Sequence, residues 1–385
     1  MSTLSVLTGS AGPALARAVL AVAGAPADGA EIAVRRVHHR PGADTTVSFS
    51  VRQPGAGERV VLITDADVAG FDVTAATGER LRGWVHPDDP RLPGLARALS
   101  PAVLGGWLAS EVGAAPVTPE LLSYRPLRRA VVRAGAAGRH FYVKLWRPER
   151  AAELVGRHRV LDAAGVGPRI AAEPEAGVLI VHDADGVTLA QRLADWNAGG
   201  EPLPEPGEVL RLLDRLPDEL LRFRRRAAWS DRADFHGAAA AATLPDQAAE
   251  IAALAAHLTH VLASTPEGPP VPTHGDFYEA NVLARGSVFT SVIDVDTAGP
   301  GRRVDDLACL LGHLAVLPDL SPTHYHRVPE VTYAWASEFE RHCPAAELRA
   351  RTAGVILSLV AGTTRPHALA RLDASRAWLY RAGCA

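Results

Sequence analysis

Apolar positions recur along this chain at two spacings, and the change from one to the other falls at clusters of Gly and Pro. Alternating, β-branched runs mark two similar stretches. "VHHRPGADTTVSFSV" (37–51) is followed by "ERVVLIT" (58–64), and "LSYRPLRRAVVRA" (122–134) by "RHFYVKLW" (139–146). Each reads as strand, hairpin, strand, because period-two alternation buries one face of a sheet. Both copies also carry Arg-Pro before a β-rich run, which makes a faint internal repeat. The first copy has Ile63 or a neighbour where the second has Lys144.

A spacing near 3.6 follows in "RPERAAELVGRHRVLDAAG". Ala151, Leu154, Val155, His158 and Leu161 share one helical face, and Gly165 supplies the stop. "GVLIVHDADG" (177–186) predicts a short buried strand. From 187 onward the pattern is mainly helical, apart from a strand-rich island at 271–314. Near the start, Leu15, Val19 and Val22 predict an amphipathic helix rather than a signal peptide. A positive leading region is missing, and Arg17 interrupts the apolar stretch. Strands early and helices late predict an α+β protein, a small β-rich lobe before a larger α-rich one. With "EVGAAPVTPE" (111–120) as a linker, the expected division is 1–113, 114–183 and 184–385.

Composition excludes several classes. A formal charge of −3 leaves no basic field for nucleic acid or an anionic membrane. Cys309, Cys343 and Cys384 lie too far apart for a disulfide framework or a metal-site spacing, which fits a reducing cytoplasm. No apolar run is long enough to span a bilayer. The bias toward Ala, Gly, Pro and Arg has removed all lysines but one, Lys144, among 40 basic residues. Only two asparagines remain, Asn197 and Asn281. Lysine and arginine are not interchangeable where a compact point charge is wanted, so Lys144 is a candidate functional residue. Chance retention on the surface is the competing reading.

The strand-rich island holds the other candidates. "THGDFYEANVLARGSVFTSVIDVD" places His-Gly-Asp on a loop, Asn281 five residues after Asp276, a hairpin at "LARGSV", and Asp294 at a strand end. Phosphoryl transfer needs these groups: a carboxylate to accept the proton of a hydroxyl, oxygen ligands for Mg²⁺, and a cation for the phosphates. Helix caps and turns are the alternative reading of Asp276 and Asn281, but they leave the joint spacing with Asp294 unexplained.

On "HGDFYEAN", "VIDVD", "GRRVDDLA", "YRPLRRAVVR" and "FYVKLW", residues 114–385 resemble the aminoglycoside phosphotransferase and choline kinase family. That resemblance implies a protein-kinase-like two-lobe fold and an ATP- and Mg²⁺-dependent small-molecule kinase. It implies Asp276 as catalytic base, with His274 supporting its loop. Asn281 and Asp294 would hold the metal, Lys144 the ATP phosphates, and Glu153 would pair with Lys144. Backbone near Val181 to Asp183 would meet adenine. Asp306 would brace the loop, and Asp296 would approach metal or substrate. The N-terminal module resembles the cap of bacterial maltokinases and glucosamine kinases.

The chain departs from the family in three places, of which the added N-terminal module is one. "YRPLRRA" stands where a glycine-rich loop is expected, with Arg128 or Arg129 as phosphate contacts or plain exposed strand residues. Glu149 and His158 compete with Glu153 as partner of Lys144. The acceptor expected is a hydroxyl of a sugar, amino sugar or cyclitol, since the tail from 310 carries eight arginines against six acids and does not suit a polycation. The alternatives are an aminoglycoside antibiotic phosphotransferase and a catalytically silent nucleotide-binding protein. A protein kinase is disfavoured by the eleven residues between Asp294 and the "DDLA" helix. "RFRRRAAW" (222–229) predicts a solvated helix face, with an anionic substrate as the other possibility. His313, His324, His326 and His342 read as helix and loop surface rather than a metal cluster.

Overall fold

The structure, a computed structural model, describes residues 2–25, 27–39, 44–53, 55 and 57–381. The first copy's Arg-Pro turn (Arg40 to Ala43) and Cys384 lie outside the described residues. The chain divides into two compact units, 1–155 with 170–183, and 156–169 with 184–385.

The first unit opens with α1 (Thr3–Thr8) and α2 (Ala11–Val22), followed by β1 (Glu31–His39), β2 (Thr45–Arg52), β3 (Arg59–Thr64), β4 (Phe71–Thr74) and β5 (Arg80–Val85). Three short helices follow, α3 (Gly94–Ala98), α4 (Pro101–Trp107) and α5 (Ala109–Val112). Then come β6 (Thr118–Arg125), β7 (Arg129–Ala136), β8 (Arg139–Trp146), α6 (Pro148–Ala163), β9 (Ile170–Glu175) and β10 (Val178–His182). The division into units falls inside α6.

Two antiparallel sheets result, and their strand orders match: β1-β2-β3-β5-β4 and β6-β7-β8-β10-β9. The faint repeat in sequence thus extends to whole sheets. In each sheet one face is covered by the preceding helices. Val61 and Ile63 of β3 pack with Leu15, Val19 and Leu20. Val143 and Leu145 of β8 pack with Leu95, Leu104 and Leu108. Matching the covered faces puts Lys144 at the place of Leu62. Alternation decides the rest, since Phe141, Val143 and Leu145 point one way and Tyr142, Lys144 and Trp146 the other. The opening helix differs from expectation at Val22, which is 61% exposed because the helix ends there and buries Leu15, Ala16, Val19 and Leu20 instead.

The second unit contains β11 (Val187–Thr188), α7 (Leu189–Asn197), α8 (Pro206–Asp214), α9 (Ala233–Thr243) and α10 (Ala248–Ala263). Next are β12 (Val271–Thr273), β13 (Val282–Arg285), β14 (Val288–Val292) and β15 (Gly299–Gly301). The chain finishes with α11 (Arg303–Leu320), α12 (Pro322–Tyr325), α13 (Val328–Phe339), α14 (Ala345–Ser358) and α15 (Arg365–Arg381). α11 is the central helix of the unit, with Leu307, Leu310, Leu311 and Leu314 fully buried. At Gly312 an added Cβ would lie 2.6 Å from a Val355 methyl, so this glycine sets the close approach of α11 and α14.

The run 222–229 is not a helix. A 3₁₀ turn ends at Arg222, and irregular chain follows to a second short 3₁₀ turn at Ser230–Arg232. Phe223 lies under the Arg157 guanidinium (5.1 Å), and the Arg224 carbonyl accepts from Arg157 Nη2 at 3.4 Å. The segment has no apolar period to bury, so these tertiary contacts set its path instead of helical bonding.

Candidate active site

The loop after β12 is fixed by backbone bonds to one buried acid. β12 pairs with β15, and the chain then turns through His274, Gly275 and Asp276. Asp306, in the first turn of α11, accepts from the amides of His274 (2.7 Å) and Gly275 (2.8 Å). Burial pushes the Asp306 carboxyl up to about 7, and those two donors pull against it. Gly275 has φ +77°, and an added Cβ would stand 2.8 Å from the Thr297 carbonyl oxygen. Only glycine suits that turn.

His274 is fully buried and holds the loop from inside. Its Nδ1 accepts from the Asp276 amide at 3.3 Å, which leaves Nε2 to carry the proton and donate to the Ile293 carbonyl at 2.9 Å. Burial lowers its pKa, so the neutral Nε2–H form is the one that fits. Thr297 Oγ1 donates to the His274 carbonyl at 2.9 Å. The Asn281 amide Nδ2 donates to the Asp276 carbonyl at 3.0 Å, and the Asn281 carbonyl accepts from the Ile293 amide at 2.9 Å. β13 and β14 form a tight hairpin through Gly286, with φ +58°. Beyond β14, Asp294 takes a left-handed conformation, φ 54° and ψ 50°, which among residues other than glycine is adopted mostly by Asn, Asp and His. Asp296 lies on the next turn, its Oδ1 3.6 Å from Nε2 of the buried His158. One hydrogen-bonded network therefore joins His274, Asp276, Asn281 and Asp306, with Asp294 following directly on Ile293.

The family model described as the phosphotransferase enzyme family matches residues 127–336, more than half of the chain. The chain belongs to this family. It is a small-molecule kinase. Among solved structures, a choline/ethanolamine kinase family protein from Mesorhizobium loti is 17% identical, with a TM-score of 0.48, over 72% of this chain and 96% of that one. A thermostable mutant of aminoglycoside phosphotransferase APH(4)-Ia, solved with ADP and hygromycin B, is 18% identical, with a TM-score of 0.46, over 73% of this chain and 99% of that one. Choline kinase from Cryptosporidium parvum is 11% identical, with a TM-score of 0.46, over 75% and 93%. No curated protein matches.

In this phosphotransferase the remaining candidates lie in the first unit. Lys144 pairs across β8 with Val131 on one side and Leu179 on the other, and its Nζ stands 5.9 Å from the Trp146 ring. The same face packs Leu154 and Val155 of α6, next to the half-buried Glu153. Val181 pairs with Tyr142, and the Asp183 amide donates to the His140 carbonyl at 3.2 Å. The chain passes from the first unit to the second directly after Asp183.

Sequence reasoning missed two residues of the second unit. Trp229 Nε1 donates to Asp276 Oδ1 at 3.0 Å, from the segment expected to be a helix face. Glu279, inside "HGDFYEAN", is 6% exposed, and burial pushes its carboxyl up to about 7. A carboxylate directly after two aromatic residues, Phe277 and Tyr278, was the available signal for Glu279. Trp229 had none. The four tail histidines are separate: His313 stacks on Tyr278 (4.4 Å), His324 meets Ser321, His326 meets Asn197, and His342 meets Glu338.

Proposed function

We propose that this kinase transfers the γ-phosphoryl group of ATP, with Mg²⁺, to a hydroxyl of a sugar, amino sugar or cyclitol. The observation that carries this reading is the network that holds Asp276 and Asn281 on one loop beside Asp294. Asp276 accepts the hydroxyl proton as the oxygen attacks. Its carboxylate is oriented by the Trp229 indole and its backbone by His274 and Asn281. His274 takes no proton itself, because its two nitrogens are committed to the Asp276 amide and the Ile293 carbonyl. Lys144 supplies the ammonium for the phosphates, Glu153 orients it, and backbone near Val181 and Asp183 meets the base.

The donor set suits Mg²⁺. Asn281 spends its amide N–H on Asp276, which leaves its side-chain oxygen as an acceptor, and Asp294 adds carboxylate oxygens. Among the described residues no three His, Cys, Asp or Glu side chains gather into a cage. Two protein ligands, completed by water and phosphate oxygens, are what this ion prefers. When bound, Mg²⁺ neutralises charge on the transferring phosphates. Asp296 and Asp306 are read as supporting groups, and 1–113 as a cap module before the lobes at 114–183 and 184–385.

Phosphorus NMR with Mg·ATP and pooled hexoses, maltose, glucosamine, cyclitols and aminoglycosides tests the reading, with Asp276→Ala in parallel. A phosphate ester that vanishes in the variant supports it, and splitting the pool names the acceptor. An ester formed only with an aminoglycoside would replace the sugar reading. ATP binding without any ester would count against all of these acceptors.

A further inference from the structure

The turn between β6 and β7 contains no glycine, yet a cavity opens beside it. It has a volume of about 340 Å³ and lies wholly within the first unit. Arg125, Arg128, Arg129, Arg147 and Arg150 line it, together with the ring of Trp146, and no carboxylate does. Burial, then the charges of Arg91 and Arg128, lower the pKa of Arg147, and the carboxylates of Glu149 and Asp44 only partly offset them.

The turn is built to stay in place. The Arg128 amide closes it on the Arg125 carbonyl at 3.0 Å. Leu127 sits at φ +61°, 1% exposed, and packs with Leu62 and Trp84 of the first sheet. The Leu127 amide and the Tyr124 hydroxyl both donate to Oδ2 of the buried Asp89, each at 2.8 Å. Arg147 Nε donates to the Leu127 carbonyl from the other side. A rigid turn that carries three arginines and faces two more leaves only side-chain freedom, not backbone freedom, to be lost on binding an anion. Guanidinium forks match phosphate oxygens two at a time.

We propose that this cavity binds a linear polyphosphate through guanidinium side chains, and that the first sheet and Asp89 fix the turn that presents them. In the phosphotransferase this polyphosphate is the donor's own chain, so the assignment of donor rests on the function proposed above. Side chains would then do what backbone amides do in a glycine-rich loop.

Isothermal titration of the full chain with ATP, inorganic tripolyphosphate, adenosine and sulfate tests this, using wild type and the pair Arg128→Gln with Arg150→Gln. Both side chains are partly exposed, so the pair should melt like wild type. Arg150→Gln alone serves if the pair does not fold. The expected result is a loss of about tenfold or more for ATP and tripolyphosphate per guanidinium removed, with adenosine unchanged. Unchanged affinity for both polyphosphates would overturn the cavity's role, even if the enzyme still phosphorylates its acceptor. Equal losses for sulfate and tripolyphosphate would also overturn it, as a non-specific basic patch. Tripolyphosphate binding that depends on the arginines, with no ATP binding in wild type, would support the cavity and count against ATP as donor.

Discussion

The indole of Trp229 donates to the carboxylate of Asp276 at 3.0 Å, from a stretch with no regular secondary structure. The ring is itself held, with the Arg226 guanidinium 4.9 Å from its centre and the His236 ring 5.7 Å away. A charge-assisted bond of this kind fixes one carboxylate oxygen and leaves the other to meet a substrate proton. Trp229→Phe keeps the ring and removes the donor. The expected outcome is a fall in kcat of about tenfold with the Kd for ATP unchanged. Steady-state kinetics beside ATP titration checks it, and equal kcat would mean that Asp276 needs no orienting partner.

That contact also shows where the sequence stops being informative. The His-Gly-Asp loop, Asn281 and Asp294 lie within twenty-one residues, so spacing alone could group them. The alternating faces of β7 and β8 were legible for the same local reason. Trp229 reaches Asp276 across 47 residues, through a segment whose arginines suggest a helix but whose path follows Arg157 and Phe223. The clamp of Asp89 on Leu127 is equally non-local. The two asparagines are equally rare, and the structure gives them different tasks. Asn281 sits in the loop network. Asn197 joins the end of α7 to the Arg327 amide and the Thr323 carbonyl, a packing role.

Gly275→Ala should damage the loop before it affects any substrate. The residue sits at φ +77°, and the new methyl would press on the Thr297 carbonyl at 2.8 Å. Thr297 cannot retreat freely, since its hydroxyl also holds the His274 carbonyl. Strain of this kind costs about 2 kcal/mol or more. Denaturant unfolding should show that loss, and a variant as stable as wild type would mean that the turn re-forms another way.

His313 should oppose folding of the second unit in acid, while Asp306 and Glu279, whose carboxyls burial raises to about 7, favour the folded chain in the same window. The His313 ring stacks on Tyr278, and burial, followed by the charge of Arg371, pushes its pKa down to about 4. The unfolded chain takes up the proton near pH 6.5, and the folded chain resists until about pH 4. The stabilisation is therefore fully present above pH 6.5 and is lost as pH falls toward 4, by up to about 3 kcal/mol. His313→Gln should remove that loss, read as the difference between variant and wild-type unfolding free energy from pH 6.5 down to 4. His236, also pushed down to about 4, would leave a smaller slope in the same window. A difference that stays constant across that window would place the acid sensitivity elsewhere.

Lys144→Arg separates chemistry from composition. The chain uses arginine for every other basic residue, so a lysine kept by chance should accept the exchange without effect. The side chain lies on the face of β8 that carries Tyr142 and Trp146, above the helix that brings Leu154, Val155 and Glu153. A guanidinium there is wider and flatter than an ammonium and projects its charge farther from the strand. If Lys144 holds phosphate, kcat/KM for ATP should fall by about a hundredfold, which corresponds to about 3 kcal/mol of lost transition-state stabilisation. The half-exposed position predicts little change in Tm, so calorimetry beside kinetics tells a lost contact from a damaged sheet. Activity that survives the exchange would return Lys144 to the ordinary surface and leave the arginines of the neighbouring turn as the cations of the donor site.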